Sequence, residues 1–320
     1  MTAMHDRPVP SFDPRAIEGP LQWQDGVISR RQLLAVGARP HDIRRLLRRR
    51  EVANALPGVY VDHTGPLTWN QRAWAAVLHH APAVLCDESG LPNPDPRGPI
   101  RVAIDADRNV QQVPGVHARR MAHLAERRHP QALPPRVRIE HAAIDVAASR
   151  DDVAAAFQVL ADVCQTRQTT PARISQTLGL RLQVPRRDLL VELLDDLDTG
   201  ACSVLEREYL RLERVHGLPS ARRQRRDTLR GRTYYRDVPY EPYDLEVELD
   251  GRAFHDSASA RDKDLERDLD TVLDAAGLTV RLGYGQVFTR GCTTIAKIAA
   301  LLRQRGWPGD FVRCPDCPSP

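Results

Sequence analysis

Apolar positions recur along the chain with first a helical and then a strand period, and each change of period marks a new element. Ser29 and Gln32 stand at capping-box spacing, with Leu33, Leu34 and Val36 behind them and a stop at Gly37. Pro40 opens the next stretch. Its Ile43, Leu46 and Leu47 lie at i, i+3, i+4 and predict a buried stripe, leaving Arg44, Arg45 and Arg48 on the solvent side. Val52, Ala53 and the segment Leu56–Val61 then read as a short hairpin. Helix, glycine turn, arginine-bearing helix and hairpin together predict a winged helix-turn-helix.

Between 66 and 199 the pattern is mixed. Arg101–Asp105 and Val137–Glu140 alternate like strands, whereas 151–164, 172–178 and 188–197 read as amphipathic helices. The loop 91–99 carries four prolines and breaks regular structure. His79, His80, His117 and His141 are scattered, and nothing here has catalytic spacing, so a spacer or docking role is expected. From Gly200 a helix is predicted over Ser203–His216, with Leu205, Leu212 and Val215 as its packing face. Strand-like segments follow at Thr233–Tyr240 and Leu245–Leu249. A charged helix over Ala258–Ala276, a strand at Thr279–Leu282 and a closing helix over Thr294–Arg305 complete the order. The expected fold class is α+β and multidomain. It comprises a winged helix at 1–65, a mixed α/β middle domain at 66–199, a restriction-endonuclease-like α/β domain at 200–309 and a tail at 310–320.

Composition narrows the function. No apolar run approaches a membrane span, and residues 1–12 are polar, so a cytoplasmic protein with no membrane partner is expected. Six cysteines are too few and too dispersed for a disulfide scaffold. The net charge is only +4, yet 44 of the 46 basic residues are arginine, Lys263 and Lys297 being the exceptions. Clustering matters more than the total. Between Ala221 and Arg236 seven arginines face one aspartate, and Arg222, Arg223, Arg225 and Arg226 precede Tyr234 and Tyr235. Arginine for phosphates and tyrosine for sugars or exposed bases suit a nucleic-acid backbone. Arg44, Arg45 and Arg48 are placed to enter a major groove.

One cluster carries candidate chemistry. Two-residue periodicity puts Glu246, Glu248 and Asp250 on one strand face and Leu245, Val247 and Leu249 on the other. Carboxylates so close repel unless they are well solvated or hold a cation. With Asp237 from the neighbouring strand they make a hard-oxygen pocket suited to Mg²⁺ or Mn²⁺. At the far end Cys314 and Cys317 form a C-x-x-C, with Cys292 upstream. Three thiolates and a histidine hold zinc in many proteins. Because no histidine follows Cys317, a tail with two free thiols is expected there and zinc is not.

Two stretches resemble known families. Gly26–Val61, with its Pro57-Gly58-Val59-Tyr60 wing, is similar to the N-terminal winged-helix domain of AbiEi-type antitoxins, which bind promoter DNA of toxin–antitoxin operons. Residues 203–307 resemble the very-short-patch-repair-related endonuclease-like domain (domain of unknown function 559) of the PD-(D/E)XK superfamily. The resemblance rests on Ser203–Glu206, Tyr235–Asp237, Val247–His255, Asp264–Asp268 and Val280-Arg281. It implies that Asp237, Glu248 and Asp250 bind a catalytic metal, with Glu206 reaching in from the first helix. His255 is then a candidate for activating water and Arg267 for contacting phosphate. The superfamily's lysine position holds Asp250, and His255 is the substitute general base. The expected function is DNA binding with metal-dependent phosphodiester hydrolysis. The alternative is an antitoxin-type regulator whose nuclease-like domain only binds DNA, with a toxin or a second copy as partner. A protein-interaction module is a third reading, disfavoured by the arginine run.

Overall fold

The computed structural model describes residues 12–199, 203–220, 225–229, 232–236, 238–250 and 279–318. The chain is mixed α+β with small sheets, and it divides into two compact units, Met1–Ala142 and Ala143–Pro320.

In the first unit a 3-10 turn at Pro14–Ile17, capped by Asp13, leads into α1 (Glu18–Trp23). Then come β1 (Val27–Ser29), α2 (Arg30–Ala35), α3 (Pro40–Arg48), β2 (Ala53–Leu56) and β3 (Val59–Val61). The expected capping box starts α2: the Gln32 N–H donates to Ser29 Oγ at 3.2 Å and the Ser29 N–H to Gln32 Oε1 at 2.9 Å. Gly37, at φ +89°, ends that helix in a conformation costly for any residue with a Cβ. The three strands form an antiparallel sheet in the order β1-β3-β2, with Val27 opposite Val61. Ile28, Leu33, Ile43, Leu46 and Tyr60 close the core beneath it.

Helix α4 (Trp69–His79) starts at a Thr68–Gln71 capping box. Trp74 and Ala75 pack on Val27, Val59 and Val61, while Ala73, Ala76 and Val77 pack on Leu85, Ile100 and Val102. Alanines let the α4 backbone lie close to both sheets, and this shared packing carries the first unit past the polar stretch at 62–66. The second sheet is built from β4 (Val84–Leu85), β5 (Ile100–Asp105) and β6 (Val116–Met121), in the order β4-β5-β6. Short helices α5 (Asp87–Gly90) and α6 (Leu124–Arg127) flank it. The strand read at 101–105 is present. β6 was not foreseen, because only its two ends are buried and no alternation signals it. Val137–Glu140 is not a strand: Val137 makes a single bridge to Arg128 and gives its N–H to Leu85 O at 2.9 Å, and α7 (Ile139–Ala148) then begins. Two residues of local alternation were overridden by the alanine-rich helix behind them.

The second unit carries α8 (Val153–Gln165), α9 (Pro171–Gly179), α10 (Arg187–Thr199) and α11 (Ser203–Val215). The hairpin β7 (Arg225–Leu229) and β8 (Arg232–Arg236) follows. Next are β9 (Val238–Tyr240), β10 (Leu245–Leu249), β11 (Thr279–Leu282), a π-helical turn at Gly285–Thr289 and α12 (Gly291–Gln304). The helix expected over 258–276 lies outside the described residues. β10 is central in its sheet, antiparallel to β9 and parallel to β11, in the order β11-β10-β9. Asp196 on α10, only 1% exposed, accepts from the Val204 N–H at 3.1 Å and the Tyr284 hydroxyl at 3.0 Å. A buried carboxylate thus satisfies an orphan donor of the first turn of α11. Among the described residues no helix is long and apolar enough to cross a membrane.

Candidate functional site

Helix α3 buries Ile43 and Leu46, half-buries Leu47, and leaves Arg44 and Arg48 exposed, as its spacing predicts. Arg45 differs. The buried Asp42 carboxylate takes the Arg39 N–H at 3.0 Å and the Arg45 guanidinium at 3.1 Å. That ion pair turns Arg45 back along its own helix, so the outward charge of α3 rests on Arg44 and Arg48. Arg49, just past the helix, lies 3.7 Å from Glu51.

The face of β10 is as the alternation predicts: Leu245, Val247 and Leu249 are buried, and Glu246, Glu248 and Asp250 half-buried. Parallel pairing sets Glu248 opposite Arg281 of β11, and the guanidinium reaches the carboxylate at 2.7 Å. A neighbouring cation therefore offsets part of the repulsion among these carboxylates, which sequence reasoning had left to water or a metal. The signal was available, since Thr279–Leu282 alternates and places Arg281 on the exposed side. Glu206 is half-buried in the first turn of α11. Among the described residues Glu206, Glu248 and Asp250 do not converge as a group of three that could hold an ion. Asp237, His255, Arg267, Arg222 and Arg223 lie outside the described residues, and Arg225 and Arg226 stand on β7.

The inner face of α11 departs from expectation. Leu205, Tyr209, Leu212, Glu213 and His216 are buried, whereas Val215 is exposed. The helical period beginning at Leu205 and Leu212 continues through polar residues that find partners inside. The Tyr240 hydroxyl donates to Glu213 and lies 3.0 Å from the Tyr209 hydroxyl. Burial, with Tyr209 and Glu213 alongside, raises the Tyr240 pKa well above its ordinary value.

The described cysteines Cys86, Cys164, Cys292, Cys314 and Cys317 are free thiols. Three of them meet the end of α11. One ligand atom each from His216, Cys292, Cys314 and Cys317 lies within 4.8 Å of all the others. The sulfurs of Cys292 and Cys314 are 3.5 Å apart, and those of Cys314 and Cys317 are 3.8 Å apart. Burial first, then hydrogen bonding with the facing thiols, pushes Cys292 up to about 12. The histidine that sequence reasoning sought after Cys317 stands far upstream, buried just past the end of α11. The tail is docked: the Val312 N–H donates to His216 O at 3.0 Å. No protein-family model matches the chain, and no curated protein matches it significantly.

Proposed function

We propose that the chain is a DNA-binding protein: a winged helix at its N-terminal end recognises duplex DNA, and a restriction-endonuclease-like domain at 200–309 acts on or holds the same nucleic acid. The observation that carries the reading is the element order α1-β1-α2-α3-β2-β3 with sheet order β1-β3-β2. That order supports the winged-helix reading, in which α3 would be the recognition helix and the β2–β3 hairpin the wing. Exposed Arg44 and Arg48 on α3 give that helix a phosphate-seeking surface. For the C-terminal domain, support comes from helix α11, antiparallel strands ending in β10, a parallel β11 and closing helix α12. The same reading takes a cytoplasmic location and, from the antitoxin resemblance, a toxin or a second copy as protein partner.

Cleavage with Mg²⁺ or Mn²⁺ is the first form of this proposal. Glu248 and Asp250 would hold the ion, which would polarise a phosphoryl oxygen and supply hydroxide from bound water. The described carboxylates alone do not complete such a site, so this form rests on Asp237 joining them. The second form is a regulator whose nuclease-like domain binds DNA without cutting it, and the Glu248–Arg281 ion pair favours it. A plasmid-nicking assay with Mg²⁺ or Mn²⁺, on the wild type and Glu248→Ala, separates the two. Metal-dependent nicking lost in the variant supports the nuclease. Salt-sensitive binding without nicking in either protein supports the regulator, and absence of DNA binding refutes both.

A further inference from the structure

We propose that His216, Cys292, Cys314 and Cys317 form a structural zinc site that locks the C-terminal segment onto the end of α11 and the start of α12. The donor set is three thiols and one imidazole, the soft and borderline ligands zinc prefers. Zn–S bonds of about 2.3 Å at a tetrahedral angle put sulfurs about 3.8 Å apart. The sulfur separations of 3.5 and 3.8 Å match that spacing.

The imidazole gives the second, independent indication. His216 is fully buried and stacks on Phe311 with ring centroids 4.9 Å apart. Its Nδ1–H donates to the Val312 carbonyl at 2.8 Å, which leaves the lone pair on Nε2. That Nε2 is buried and has no hydrogen-bond partner, a costly condition for a ring nitrogen unless something binds it. A backbone carbonyl on one nitrogen and a metal on the other is the usual arrangement of a ligating histidine.

The backbone around the thiols suits the same ligand. Cys317 N–H closes a turn onto Cys314 O at 3.2 Å. Cys292 sits in the first turn of α12, which sets its sulfur beside those of the tail. Gly217 has φ +72°, which favours glycine, and a Cβ there would stand 3.0 Å from Val312 Cγ2 of the docked tail. Four protein donors leave no position for water, which makes the site structural rather than catalytic. Among its described residues the tail has no helix or strand, and Val312 is half exposed. A metal holding two of its side chains supplies what its apolar contacts do not.

The test uses the full chain purified without chelator from zinc-supplemented medium, and needs no DNA. Elemental analysis is expected to find about one zinc per chain. Cobalt substituted for zinc is expected to show thiolate-to-cobalt charge transfer and the strong visible bands of a tetrahedral ion. Cys317→Ser and His216→Gln should each weaken zinc about tenfold or more in competition with a colorimetric chelator. Stripping the metal should speed tryptic cleavage after the exposed Arg313 by about tenfold or more, the cut then tracking an open tail. Wild-type protein that takes up no zinc, or a cobalt spectrum without thiolate bands, overturns the proposal whether or not the variants fold. So does a Cys292–Cys314 disulfide in protein purified anaerobically.

Discussion

Replacing Arg44 and Arg48 together by alanine removes two exposed guanidinium groups from the same face of α3. If α3 lies against DNA, each neutralises about one phosphate, and each phosphate contact contributes about −0.9 to the slope of log K against log salt. The double variant should therefore bind with a slope shallower by about 1.8. Between about 50 and about 200 mM salt the logarithm of concentration changes by about 0.6, so wild-type affinity should fall about twelvefold more than that of the variant. Arg45→Ala is the internal comparison. Asp42 already holds that guanidinium at 3.1 Å, so its loss should alter the slope less and lower stability more. The assay is fluorescence anisotropy on a random-sequence duplex at several salt concentrations, with circular dichroism to confirm that the helix persists. An unchanged slope in a folded double variant, or a larger change for Arg45→Ala, would refute α3 as the DNA-facing element.

Four further outcomes test the packing. Tyr240→Phe removes the hydroxyl that donates to the buried Glu213 carboxylate and lies beside the Tyr209 hydroxyl, and should cost about 1–3 kcal/mol in urea unfolding. The same residue sets a pH dependence. Its pKa is raised in the folded state, so the unfolded chain loses the proton first and stability falls as pH rises past about 10; Tyr240→Phe should flatten that decline, and an equal decline in both proteins would contradict the buried network. Leu46→Ala opens a cavity under α3, where the side chain is 2% exposed, and should destabilise the first unit by about 2–5 kcal/mol by chemical denaturation. Asp196→Ala removes the carboxylate that accepts from the Val204 N–H and the Tyr284 hydroxyl. A loss of about 1–3 kcal/mol is expected in denaturation of the second unit, and no loss would show that water replaces the carboxylate.

The sequence by itself determined the elements whose signals are local. The Ser29–Gln32 box, the Ile43–Leu46 stripe, Gly37 as a helix stop, and the alternation of β10 all rest on contacts within a few residues, and the structure has each of them. Local reading failed where a neighbour outvoted it. Val137–Glu140 yielded to α7, and Val215 turned outward while Glu213 and His216 turned in. Only the tertiary structure decided that Arg45 belongs to Asp42, that Arg281 faces Glu248, and that His216 completes the set begun by Cys292, Cys314 and Cys317. Hydrogen-bond and ion-pair partners come from whichever segments the packing brings within a few ångströms, and a ligand set does too. Distance along the chain carries no record of that meeting. For this reason the thiols read as a loose tail in the sequence and stand around a buried imidazole in the fold.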